Sequence, residues 1–178
     1  MSCNLVAISL ILTPIEPALA SQLDQSNDTD PTAQVYIKNY SLCGQTFVPT
    51  LPQLDMVSLY LGNGGDQNVT FRIIRVADGS LVTGFSKVIA DVWDWYFFQI
   101  SGSVAVNPGE TYRIVLSTGS NAMWQLGSNQ YANGKAILGI EVDDRDAYFR
   151  TYGTPASSPT PTPSASPTTS ASPGSGVV

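Results

Sequence analysis

Trp124 and Tyr131 stand in an otherwise polar stretch, Ser120-Asn121-Ala122-Met123-Trp124-Gln125-Leu126-Gly127-Ser128-Asn129-Gln130-Tyr131. A flat aromatic ring stacks on the apolar C–H face of a sugar, and neighbouring amides bond its hydroxyls. This pattern offers a carbohydrate site on a loop bordered by Trp124, Tyr131, Asn129 and Gln130. The competing reading has Trp124 plugging one end of a folded core. A denser aromatic run follows Asp91: Trp93, Trp95, Tyr96, Phe97 and Phe98. In an extended strand Trp93, Trp95 and Phe97 face one way while Tyr96, Phe98 and Ile100 face the other, which predicts a central, buried strand. Trp93, set between Asp91 and Asp94, is the ring of this run expected to reach the surface and join a ligand site.

Glu141, Asp143, Asp144 and Asp146 place four carboxylates within six residues. Clustered oxygen donors suit Ca²⁺, although the spacing is not that of an EF-hand loop. The competing reading is a solvated turn paired with Arg145 or Arg150. Glu141 and Asp143 share a strand face, but a glycosidase pair also needs one acid with a raised pKa in an enclosing cleft, and nothing else in the sequence indicates one. The chain has no histidine, which removes imidazole-based nucleophile activation and His metal ligation, and it has no G-x-S-x-G elbow. Two cysteines cannot make a four-thiolate zinc site. Eight basic against fourteen acidic residues, net charge −6, argue against nucleic acid as a partner. The chain is therefore expected to lack catalytic residues.

The elements that must position these side chains are strands. Between Ala33 and Gly153 short runs rich in β-branched and aromatic residues are separated by turn signals such as Asn63-Gly64-Gly65, Asp78-Gly79, Asn107-Pro108-Gly109, Thr118-Gly119 and Asn133-Gly134. Alternation puts Val57, Leu59 and Leu61 on one face, and likewise Val69, Phe71 and Ile73, and Tyr112, Ile114 and Leu116. Further strands are expected at residues 35–40, 45–48, 81–90, 95–100, 122–126, 135–142 and 147–152. Some nine or ten short strands predict an all-β fold, a two-sheet antiparallel β-sandwich of jelly-roll type, because a single flat sheet would expose long edges.

The ends differ from the middle. Residues 1–20 hold an apolar run, Leu5 to Leu12, and a closing Ala18-Leu19-Ala20, the small-x-small pattern of a cleaved export signal. Residues 21–32 are polar and read as a flexible lead-in to a sandwich domain at 33–153. Residues 154–178 contain six prolines among Ser, Thr and Ala, which predicts a semi-rigid spacer of up to roughly 75 Å with an anchor or catalytic domain beyond it. Removal of the leader would take Cys3 and leave Cys43 as a single thiol, expected to be a small buried side chain.

The order Gln45-Thr46-Phe47-Val48-Pro49, Leu54 to Leu61, Val69 to Ile73 with Ala77-Asp78-Gly79, Trp95-Tyr96-Phe97-Phe98, Val106-Asn107-Pro108-Gly109-Glu110-Thr111-Tyr112-Arg113-Ile114-Val115-Leu116 and Ala147 to Gly153 resembles galactose-binding-like jelly-roll domains of bacterial and archaeal surface and secreted proteins, the choice-of-anchor type of accessory domain. The resemblance covers roughly residues 44–153. It implies a non-catalytic, extracellular binding or adhesion module of a larger protein, and in some such sandwiches a structural Ca²⁺ near the last strand. The expected partner is carbohydrate or another cell-surface protein. Two alternatives stand beside it: a carbohydrate-binding accessory domain of a polysaccharide-degrading enzyme, and a structural component of the cell envelope.

Overall fold

The computed structural model describes residues 20–63, 65–142 and 144–156. The export segment at 1–20 and the spacer at 154–178 therefore lie almost wholly outside the described residues. The strands are β1 Gln22–Asn27, β2 Pro31–Tyr36, β3 Cys43–Phe47, β4 Gln53–Gly62, β5 Gln67–Arg75, β6 Leu81–Ile89, β7 Asp94–Ala105, β8 Tyr112–Ser117, β9 Met123–Ser128, β10 Ala136–Leu138, β11 Ile140–Val142, β12 Arg145–Ala147 and β13 Phe149–Gly153. A 3₁₀ turn at Ile37–Asn39 follows β2. Among the described residues no helix is long and apolar enough to cross a membrane.

Two antiparallel sheets face each other, as the alternation predicts. One has six strands in the order β11-β10-β3-β8-β5-β6. In the seven-stranded sheet β4 lies between β13 and β7, β1 pairs with the other side of β13, and β2 pairs with β9. β9 bridges two neighbours, pairing its start with the end of β4 and its end with β12. The inward rows expected from alternation are buried: Val57, Leu59 and Leu61 from one sheet meet Val69, Phe71, Ile73, Tyr112, Ile114 and Leu116 from the other. Phe71 stacks on Phe98 across the gap with ring centroids 4.9 Å apart, and Phe149 meets Phe47 at 6.4 Å.

Three expectations need correction. The supposed lead-in at 21–32 is structured, because β1 and the start of β2 pair with β13 and β9. Polar side chains point inward there and find partners: Gln25 Oε1 accepts from the Tyr131 hydroxyl at 3.0 Å, and Asn27 Nδ2 donates to the Ala147 carbonyl at 3.3 Å. The sandwich thus begins at Gln22 rather than Ala33. The aromatic strand β7 is not central, since among the described residues it pairs with β4 alone, and Phe97 is 48% exposed. Finally, the run at 135–142 is two short strands folded on each other at Gly139, whose φ of +79° is the left-handed conformation glycine accepts readily.

Cys43 lies wholly in the core on β3, and burial pushes its thiol up to about 12. Because the thiolate is the reactive species, iodoacetamide should label Cys43 on the order of 100-fold more slowly in the native protein than in urea. Peptide mass mapping reads the label at that site, and equal rates would contradict this packing.

Candidate functional site

The outward side of the β13-β4-β7 region carries a cluster of aromatic rings. Because Leu59 and Leu61 point into the core, Ser58, Tyr60 and Gly62 turn to the opposite face of the sheet, where Ser58 and Gly62 are covered by neighbouring side chains and Tyr60 is half-buried. Register places Tyr60 opposite Trp95, and Ser58 opposite both Phe97 and Arg150. Gly62 has no side chain, and the Trp93 indole occupies that space face-on: a Cβ built on Gly62 would fall within 2.7 Å of the Trp93 ring atoms Cγ and Cε2. Trp93 stacks on Tyr60 at 5.7 Å with planes 22° apart, and Trp95 meets Tyr60 edge-on at 5.5 Å.

Tyr148 fills the gap where β9, β4 and β13 diverge. It stacks with Trp95 at 6.3 Å, and burial raises its phenol pKa. The Arg150 guanidinium lies 4.0 Å over the Trp95 ring and is held from the other side by Asp28, with Nε 2.8 Å from Oδ2. Cation–π contact and ion pair together fix Trp95 as a support for the outer rings. Trp93 remains half-exposed and Phe97 exposed.

The row continues sideways. Tyr36 pairs with Met123, and Met123 with Gly62, so these positions line up across β2, β9 and β4. Their inward neighbours Val35, Trp124 and Leu61 are buried, which turns Tyr36 and Met123 to the outer face. At the same end of the sandwich an open cleft of about 350 Å³ is lined by Asn63, Gly65, Gln67, Asp91, Gly119, Ser120 and Asn121. It begins one residue after Gly62 and two before Trp93. Asn63, Gly65 and Asp66 have φ values of +55°, +60° and +56°, so the β4–β5 loop turns sharply at the cleft's edge.

The site read around Trp124 is not assembled as expected. Trp124 has 0% exposure, and its indole N–H donates to the Tyr148 carbonyl at 2.8 Å. A ring without an exposed face cannot stack on a sugar, so the core reading of Trp124 holds. Tyr131 is also buried; its hydroxyl donates to Gln25 Oε1 and accepts from the Val48 N–H, both at 3.0 Å, while burial pushes its pKa up to about 12. Gln130 and Asn129 are exposed, and Gln130 donates to Asp30 Oδ2 at 2.8 Å. Neither is among the residues that line the cleft. Of the five ligand-binding candidates, Trp93 alone sits in the aromatic row.

The acidic group behaves similarly. Asp146 is fully buried and faces inward, accepting from Gln45 Nε2 at 2.9 Å and from the Tyr131 N–H at 3.0 Å. Glu141 and Asp144 are exposed, with Asp144 3.5 Å from Arg145, and Asp143 lies outside the described residues. Among the described residues no three His, Cys, Asp or Glu side chains come together as a metal site. The expected Ca²⁺ set of Glu141, Asp143, Asp144 and Asp146 is therefore not brought together by its described members, because strand β12 directs Asp146 into the core while β11 leaves Glu141 outside.

Tyr60, Tyr36, Met123 and Tyr148 are not among the candidate residues read from the sequence, and Arg150, read there as a partner of the acidic turn, pairs instead with Asp28 and covers Trp95. Alternation could have found Tyr60, since it sits between two inward leucines and two residues before a glycine. The fold defines the class as an all-β antiparallel sandwich with an aromatic outer face. Comparison of the chain with protein-family models and with curated proteins found no match.

Proposed function

We propose that this chain is a non-catalytic binding or adhesion module of a larger exported or cell-surface protein, a jelly-roll-like domain similar to galactose-binding-like accessory domains, which holds its ligand against the outer aromatic face. The observation that carries this reading is the set of half-exposed and exposed rings, Trp93 and Phe97, on the solvent side of a sheet whose core is already filled. The export-signal pattern and the Pro/Ser/Thr spacer support it. So does the direction of the chain, which leaves β13 beside Met56, at the opposite end of β4 from Trp93. At that same end Thr154 Oγ1 donates to Asp55 Oδ2 at 2.7 Å. A role in a polysaccharide-degrading enzyme is the second reading, favoured by the amide-lined cleft beside the rings.

The test is retention of the fluorescently labelled full chain on cell envelopes of the producing organism. Retention is expected and should fall at least about tenfold in the Trp93→Ala/Phe97→Ser double variant, as loss of two anchoring rings predicts, while its thermal midpoint stays close to that of the parent. Retention that is absent, or equal in the double variant, would refute the binding-face reading.

A further inference from the structure

We infer that the row formed by Tyr36, Met123, Trp93 and Tyr60, with the adjoining cleft, binds a neutral polysaccharide chain. This rests on reading the outer aromatic face as the binding surface, and adds the chemical class of the ligand.

Length is the first argument. Tyr36, Met123 and Gly62 are in register on three successive strands, so the row spans about 10 Å of sheet before Tyr60 and Phe97 extend it along β4 and β7. A single sugar cannot cover that distance, whereas successive residues of a polymer can. Chemistry is the second. A sugar ring presents C–H faces for stacking and hydroxyls for hydrogen bonds, and this end of the sandwich sets half-exposed rings directly beside amides and a hydroxyl from Asn63, Gln67, Asn121 and Ser120. Asn63 Nδ2 lies 3.7 Å from Met123 Sδ, which joins the cleft to the row.

Charge selects a neutral chain. The carboxylates of Asp91 and Asp94 flank Trp93, and Asp66 follows the β4–β5 turn. Of the cations at this end, Arg150 is paired with Asp28 and packed on Trp95, and Lys38, whose Nζ is 2.6 Å from the neutral amide oxygen Oδ1 of Asn121, is outnumbered by the three acids. A polyanion would meet acids here in a protein of net charge −6. Area argues against a protein partner. A stable protein interface hides roughly 800 Å² on each side around an apolar centre, while this row is bordered by a polar cleft and by the carboxylates of Asp91 and Asp94.

Gly62 supplies a variant that keeps every ring. In Gly62→Val the new side chain would displace the Trp93 indole without removing it. The full chain is run by affinity electrophoresis in gels containing xylan, galactomannan, hydroxyethylcellulose, mixed-linkage β-glucan or, as the anionic comparison, polygalacturonate. Retardation by at least one neutral polymer is expected, insensitive to 0.5 M NaCl, with at least a tenfold weaker affinity in both Trp93→Ala and Gly62→Val. Trp93→Ala guards against the case in which Gly62→Val fails to fold. Absence of retardation by every neutral polymer, equal retardation of folded variants, or salt-sensitive binding to polygalacturonate alone would overturn the inference. Envelopes treated with periodate or with protease separate it from the broader reading. Face-dependent retention abolished by protease but not by periodate would overturn the polysaccharide and leave the binding module standing, whereas retention independent of the face would remove both.

Discussion

Trp124→Ala should lower the unfolding free energy by about 3–5 kcal/mol, the range seen when a large aromatic is cut from a close-packed core. The ring is fully buried, and its indole N–H satisfies the Tyr148 carbonyl at the point where β12 gives way to β13. Truncation therefore leaves a cavity, and the Tyr148 carbonyl keeps only the long bond from the Tyr60 N–H at 3.5 Å, between β9 and the strands it bridges. Urea denaturation monitored by circular dichroism measures the loss. Trp124→Phe, which restores most of the volume but not the donor, should recover more than half of it. A cost below about 1 kcal/mol for the alanine variant would be in the range of a surface substitution and would contradict the burial described.

The second large effect concerns Asp146. Its carboxylate accepts from Gln45 Nε2 on β3 and from the Tyr131 N–H, while Gln45 Oε1 accepts from the Ala147 N–H at 2.7 Å. Because β3 belongs to the six-stranded sheet and β12 to the seven-stranded one, these bonds clasp the two layers together. Asp146→Ala should cost about 1–3 kcal/mol for the Tyr131 N–H left without its partner, and less at Gln45 Nε2, which keeps its bond to the Thr46 carbonyl at 3.0 Å. Asp146→Asn should also destabilise, since an amide N–H would face one of two existing donors. The same carboxyl gives a pH signature. Burial raises its folded pKa above the ordinary aspartate value, and the bonds from Gln45 and the Tyr131 and Gln130 backbone offset part of that rise. Between the unfolded value and the raised folded one the native state holds more protons than the unfolded state. Asp146 therefore contributes a loss of stability as pH climbs through that window. Denaturation midpoints across this acidic range should show a smaller decline with rising pH in Asp146→Asn than in the parent. An identical pH profile in the two proteins would refute the assignment. Glu110 works in the opposite sense: its hydrogen bonds to Arg75, with Nε–Oε2 and Nη2–Oε1 both at 2.7 Å, lower its pKa, and its contribution is lost as pH falls through the folded value.

These two residues also show what sequence could and could not convey. Strict alternation in β4, β5 and β8 announced the inward rows and with them the two-sheet architecture. It did so because apolar side chains every second residue have few other ways to leave water. Trp124 was harder to place, since its neighbours are Gln, Ser and Asn. Gln125 is itself buried, donating to the Ala33 and Leu126 carbonyls at 2.7 and 3.0 Å, so polar composition did not mean exposure. The strands at 22–36 were hidden for the same reason. Their pairing is made by backbone groups, and their inward Gln25 and Asn27 are satisfied by side-chain bonds that composition does not reveal. In β7 rings on both faces suggested burial on both. The strand's place at an edge, and the glycine that seats Trp93 from a neighbouring strand, follow from pairing across more than thirty residues of chain and not from the run itself.

The positions of Trp93 and Thr154 at opposite ends of β4 carry a mechanical consequence. If a polymer grips the rim while the chain beyond Thr154 is tethered, tension passes lengthwise through β4 and its neighbours β13 and β7. Their ladders then resist in shear, all rungs sharing the force at once. Tension applied instead between Gln22 and Gly153, which are adjacent partners at one end of β1 and β13, would peel that pair apart a rung at a time. The same domain is thus built to hold along one axis and to yield along another.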